Sequence, residues 1–135
     1  MKLLMFAASY FSWRPFERIL PDAPDATDEI KVQDAAVIFT QVEAKDEESP
    51  KIVTKAIKNI KWLARKRGLQ HIVLHSFTHL GGETADPALA LSLMEEMADR
   101  LRGVGYQVWL PPFGWVCEWN LHVYGEGLAK VFKSL

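Results

Sequence analysis

Three of the four histidines fall in one short stretch, at His71, His75 and His79. Imidazoles spaced by four share one face of a helix and can converge on a metal there. The intervening residues argue for another local structure. Ile72-Val-Leu74 is a short apolar run, Ser76-Phe-Thr-His-Leu80 turns polar, and Gly81-Gly82 interrupts the chain. A run of this kind, bounded by turn signals, reads as a buried strand opening into a loop. Three histidines on a strand and its loop do not gather round one ion. There is also no His-Glu-x-x-His motif and no cysteine pair, so no metal is expected. Gly81-Gly82 lacks the spacing and the lysine of a phosphate-binding loop, and no cofactor is expected. Cys117, the single cysteine, lies on the apolar side of an alternating segment and reads as a packed thiol, not a nucleophile. What remains is His79 at the C-terminal mouth of a strand, beside glycines that allow close backbone approach. In open α/β sheets a site forms at that mouth. His79 is placed in it.

The elements that must hold this site follow from pattern. At 135 residues the chain is one domain, residues 1–135, with 49% hydrophobic and 24% charged residues. A net charge of −1 gives no global basic field for nucleic acid. One cysteine suits a reducing compartment and no apolar run is long enough to span a bilayer, so a cytoplasmic protein with no membrane partner is expected. Lys2 to Ala8 is a first strand. Tyr10 to Ile30, with Pro15, Pro21 and Pro24, reads as an irregular excursion. Ala35 to Val42 is a strand rich in β-branched residues, and Glu43 to Glu48 a solvated acidic loop. Ser49-Pro50 announces a helix whose stripe is Ile52, Val53, Ala56, Ile57, Ile60, Leu63 and Ala64, ended by Gly68. Its other side carries Lys51, Lys55, Lys58, Lys61, Arg65, Lys66 and Arg67. That face reads first as solvated, with RNA phosphate contact as the alternative. Asp86-Pro87 opens a second helix, packed through Ala90, Leu93, Met94, Met97 and Leu101 and stopping at Gly103 or Gly105. Tyr106 to Leu110 is a strand, Pro111 to Trp115 a forced turn, Val116 to Tyr124 a strand with one buried face, and Gly125 to Leu135 a short end of helical character. The order predicts an α/β domain with a mixed sheet and two main helices.

Ser76-Phe-Thr-His-Leu80, then Ala85-Asp-Pro87, then Pro112-Phe-Gly-Trp115 resemble, in order and spacing, the amino-terminal editing domain of archaeal threonyl-tRNA synthetases. Tyr10 and Thr40-Gln-Val-Glu43 fit its first two strands, so the resemblance spans almost the whole chain. It implies a D-aminoacyl-tRNA deacylase-like fold, a homodimer, and hydrolysis of the ester joining serine to threonine tRNA. The implied partners are the 3′ end of an aminoacyl-tRNA and a threonyl-tRNA synthetase lacking its own editing domain. By the same resemblance the terminal adenosine lies against Gln41 and Val42. The aminoacyl group lies between Thr78-His79-Leu80 and Phe113, Trp115, Val116 and Cys117, with His79 as the catalytic residue orienting the amine or a water. Two positions depart from the family: Cys117 replaces a lysine, and Lys130, placed with the substrate-binding residues, replaces a glutamate near the end. The departures also fit a non-catalytic RNA- or partner-binding paralogue. A scaffold whose lysine face meets an acidic partner is a third reading.

Overall fold

In the computed structural model, which describes residues 1–135, alternation of apolar residues builds one long strand, β1 (Lys2–Arg18), on which the sheet is assembled. Along one side it pairs antiparallel with β2 (Ile30–Gln41), from Lys2 opposite Gln41 to Trp13 opposite Ile30. β3 (His71–Ser76) lies parallel to β2, and β4 (Gln107–Trp109) parallel to β3. The other side of β1 is shared by two strands in succession. β6 (Lys130–Ser134) covers Lys2–Phe6, and β5 (Trp115–Val123) covers Ala8–Arg18. The helices α1 (Ile52–Arg67) and α2 (Pro87–Gly103) make the crossovers that parallel pairing requires.

Both helices pack on one face of the sheet, where the stripe of α1 and Met94, Met97 and Leu101 of α2 meet Leu3, Met5, Ile38 and Leu74. On the other face Phe11, Trp13, Val37, Phe39 and Val73 form a second buried cluster without a helix. The sheet covers this face itself. β1 has register shifts between Ala8 and Tyr10 and between Pro15 and Glu17, and bulges bend a strand and increase its twist. The bent half brings Trp119 of β5 back onto Phe39, with ring centroids 4.8 Å apart.

Four local expectations are corrected. β1 runs through Pro15, where an irregular segment was expected, so the true excursion is only residues 19–29. Pro15 lies beyond the last β2 partner and at the second shift against β5, where its missing N–H weakens no regular ladder. Residues 43–48 are not a solvated loop. Ala44–Glu48 form a 3₁₀ turn, with Glu43 and Asp46 buried against the α-ammonium of Met1 at 2.8 Å each. Those carboxylates are buried because they are paired, which composition does not reveal. The Ser49-Pro50 signal starts a turn in which the Ile52 amide donates to the Ser49 carbonyl at 3.0 Å, and the α-helical ladder begins two residues later. The C-terminal segment is strand, not helix, because the first five residues of β1 leave an edge that it fills. The other helix signals stand: Asp86 caps α2 with Pro87 at its first position, and Gly68 closes α1 in the left-handed region.

Candidate functional site

At the C-terminal end of β3 the chain leaves the sheet, and residues 77–85 form a loop before α2. Gln41, the last residue of β2, holds that loop. Its Nε2 donates to the Gly81 carbonyl at 2.6 Å and to Thr84 Oγ1 at 3.1 Å, and its Oε1 accepts from the Leu80 amide at 2.7 Å. Gly82 has φ +75°, and a Cβ there would run into the Glu43 carboxylate and lie 2.8 Å from Lys2 Nζ. The glycine pair therefore serves a close approach, but to the buried ion cluster. Across from the loop stands the 112–115 turn. Its Gly114 carbonyl accepts from the Ile19 and Leu20 amides, and a Cβ on Gly114 would lie 2.9 Å from Ala23.

Between loop and turn lies a cleft of about 340 Å³. Thr78, His79, Phe113, Trp115, Val116 and Cys117 line it together. The remaining four sequence candidates lie elsewhere. Gln41 is buried and spends its amide on the loop, Leu80 is tied to it, and Val42 belongs to the helix-side core. Lys130 starts β6, where its ammonium donates to the Tyr124, Gly125 and Glu126 carbonyls at 3.2–3.4 Å. Gln41 is thus a positioning residue, and Lys130 braces the turn before its own strand.

His79 is exposed, its ring edge-on to Phe77 at 5.3 Å, and no hydrogen bond within the chain engages its nitrogens. The Thr78 and His79 amides are also unbonded, while the Phe77 amide donates to the Thr40 carbonyl and the Leu80 amide to Gln41. Two adjacent donors and one imidazole are therefore available at the cleft. The Cys117 thiol is pushed up by burial, which keeps it protonated and unreactive at neutral pH.

Among the cleft residues that the sequence reading did not select are His75, Ser76 and Trp119. The indole N–H of Trp119 donates to His75 Nε2 at 3.0 Å, and the His75 ring is 4% exposed with Nδ1 lacking a partner. Burial holds the His75 pKa at about 4, slightly countered by the Ser76 backbone. Its ring is neutral, with the proton on Nδ1 because Nε2 accepts. The signal was present: four residues on a strand return to one face, so His75 sits on the same side as His71. His71 itself turns away, its Nδ1 2.6 Å from the Gln33 carbonyl and its ring on Trp109. A neighbouring cavity of about 630 Å³ shares Leu20, Ser76, Pro87, Pro112 and Phe113 with the cleft and is rimmed by Asp22, Asp25, Asp86 and Glu95. It is the larger of the two, but four carboxylates make it unsuited to a phosphate-bearing ligand.

A family model described as the archaea-specific editing domain of threonyl-tRNA synthetase matches residues 1–135. Threonine–tRNA ligases of Staphylothermus marinus and Hyperthermus butylicus are each 32% identical, over 100% and 99% of this chain. That of Thermococcus kodakarensis is 29% identical over 100% of it. The chain spans only 22–23% of the length of these relatives. Among solved structures, the c-Myc DNA Unwinding Element Binding Protein superposes with a TM-score of 0.70 at 12% identity, covering 100% of this chain and 99% of that one. This likeness concerns the fold alone, and the expected α/β domain with a mixed sheet and two main helices stands. With the family match covering the chain from end to end, the protein belongs to the archaea-specific editing domain family of threonyl-tRNA synthetase.

Proposed function

We propose that this domain is an aminoacyl-tRNA deacylase that hydrolyses the ester of mischarged tRNA, with serine on threonine tRNA as substrate. The observation that carries the reading is the cleft between residues 78–79 and 113–117, in a chain matched throughout to an editing-domain family. Ester hydrolysis requires a polarised carbonyl and a placed water. The Thr78 and His79 amides, which have no partner within the chain, supply the first by donating to the oxygen that becomes negative as water adds. The His79 imidazole orients the water or the substrate amine. A ribose hydroxyl of the terminal adenosine assists, because no carboxylate lines the cleft to act as base.

The domain acts as a homodimer in the cytoplasm, beside a threonyl-tRNA synthetase without its own editing domain. Phe16, exposed near the end of the β1–β5 ladder and outside the cleft, supports a second copy; Ile19, Val116 and Trp119 beside it line the cleft itself. Release of serine from serine-charged threonine tRNA, measured beside a panel of other aminoacyl-tRNAs, tests the activity. The expected result is acceleration on the serine ester. No acceleration over buffer on any of them overturns it.

A second reading, a binding domain without turnover, is favoured by the thiol at Cys117 and by the engagement of Lys130 with backbone carbonyls. Tight binding of a non-hydrolysable aminoacyl-adenosine mimic without turnover would establish it. Absence of binding removes it as well.

A further inference from the structure

The charge of this protein is not spread evenly. Residues 49–82 hold seven cations and no carboxylate, so with a chain total of −1 the remainder carries −8. On α1, Lys51, Lys55, Lys58, Trp62, Arg65 and Lys66 fall within an arc of roughly 100° at 100° per residue. All six are exposed. None of the five cations makes an ion pair within the chain; only Arg67, on another side of the helix, does so, with Glu126. A row of unpaired like charges disfavours the isolated fold, so structure alone does not account for it. Trp62 stands in the row at 39% exposure. The Lys66 ammonium lies 5.2 Å from its ring centroid, and that of Lys133 on the adjoining β6 lies 6.0 Å away. An indole held between two cations in a basic row matches a polyanion that also offers flat bases.

The row is also in the right place. It starts just after the 3₁₀ turn, whose Ala44 amide donates to the Glu83 carbonyl of the cleft loop at 2.9 Å. From there it runs about 22 Å along the helix, at 1.5 Å per residue. The row thus begins at the same end of the sheet as the cleft, beyond exposed Glu47, Glu48 and Glu83, and runs away from it, while the acidic cavity repels a polyanion from the α2 side. We propose that the outer face of α1, with Trp62 and Lys133, is the docking surface for the phosphate backbone of the tRNA whose charged 3′ end enters the cleft. The proposal rests on the editing reading for the identity of the RNA, and on charge and geometry for the surface.

Binding of uncharged threonine tRNA and of a non-hydrolysable aminoacyl-adenosine mimic is measured across a salt series. The variants are Lys55→Gln/Lys58→Gln/Lys66→Gln, the same triple with arginine, and Trp62→Ala. For the glutamine triple the slope of log affinity against log salt becomes shallower by about 0.9 per lost contact, roughly 2.7 in all. Its tRNA affinity falls about tenfold or more at low salt, while the mimic binds unchanged because it does not reach α1. The arginine triple keeps both affinity and slope. Trp62→Ala weakens tRNA by roughly tenfold with little change of slope, as expected for the loss of an uncharged stacking contact. An unchanged slope and affinity in the glutamine triple overturn the proposal. So does a wild-type protein that binds the mimic but not tRNA, an outcome that leaves the editing reading standing and points to an acidic protein as the occupant. Binding of neither ligand overturns the editing reading itself.

Discussion

At the scale of single residues, the cleft separates three side chains that look alike in the sequence. His79 is solvent-facing and unbonded, His75 is buried and neutral, and His71 is engaged with backbone outside the cleft. His79→Ala is expected to lower deacylation by roughly ten to a thousand fold, the range for losing a positioned polar group. Cys117→Ala should alter it little, because a thiol kept protonated by burial contributes no charge. Single-turnover rates on serine-charged tRNA check both. His75 makes a different prediction. Burial depresses its pKa from 6.5 to about 4, so the folded state binds fewer protons than the unfolded chain in that window. Stability is therefore fully present above pH 6.5 and falls as pH drops towards 4, by about 3 kcal/mol in total. Burial alone would raise Glu43, but its hydrogen bonds from Lys2 and the N-terminal ammonium hold it at about 2, so its contribution is lost only between pH 4.5 and 2. Urea midpoints between pH 7 and 4 should decline in the wild type and flatten in His75→Phe. An equally steep decline in that variant would assign the loss to another group.

At the scale of elements, the loop over residues 77–85 depends on one buried amide. Gln41 satisfies Leu80, Gly81 and Thr84 at once. Gln41→Leu keeps most of the volume and removes three hydrogen bonds, leaving the Leu80 amide and Gly81 carbonyl without their partner. A loss of about 1–3 kcal/mol is expected, together with at least tenfold faster hydrogen exchange at the Leu80 amide. Activity should fall with it, since the loop carries His79. Unchanged exchange at Leu80 would show that the loop is held by its glycine packing against Glu43 and Lys2 instead. The sequence reading had Gln41 touching substrate. Its hold on the loop was unreadable there, because it depends on β2 ending level with β3, a matter of sheet register.

At the scale of the molecule, two faces are unfinished: the lysine row of α1 and the exposed Phe16 near the end of the β1–β5 ladder. Light scattering at micromolar concentration should give twice the chain mass, and Phe16→Glu should shift it towards the monomer. A wild-type monomer would refute the dimer. Much of this architecture was already legible in local pattern. The alternation in β5, the helical stripes, the Asp86-Pro87 cap and Gly68 report on neighbours a few residues away, and so does the opening of β3 into a polar loop. His79 with Thr78, and Phe113 with Trp115, Val116 and Cys117, could be named as a site because a strand end and a proline-forced turn are local features joined by a family resemblance. What local pattern does not encode is long-range pairing. The burial of Glu43 and Asp46 rests on an ammonium more than forty residues away. Pro15 is tolerated because of where β2 stops, β6 exists because β1 leaves an edge, and His75 enters the cleft because Trp119 folds back over Phe39. Charge pairing, sheet edges and the bend of one strand are properties of the assembled sheet, and only the tertiary structure decides them.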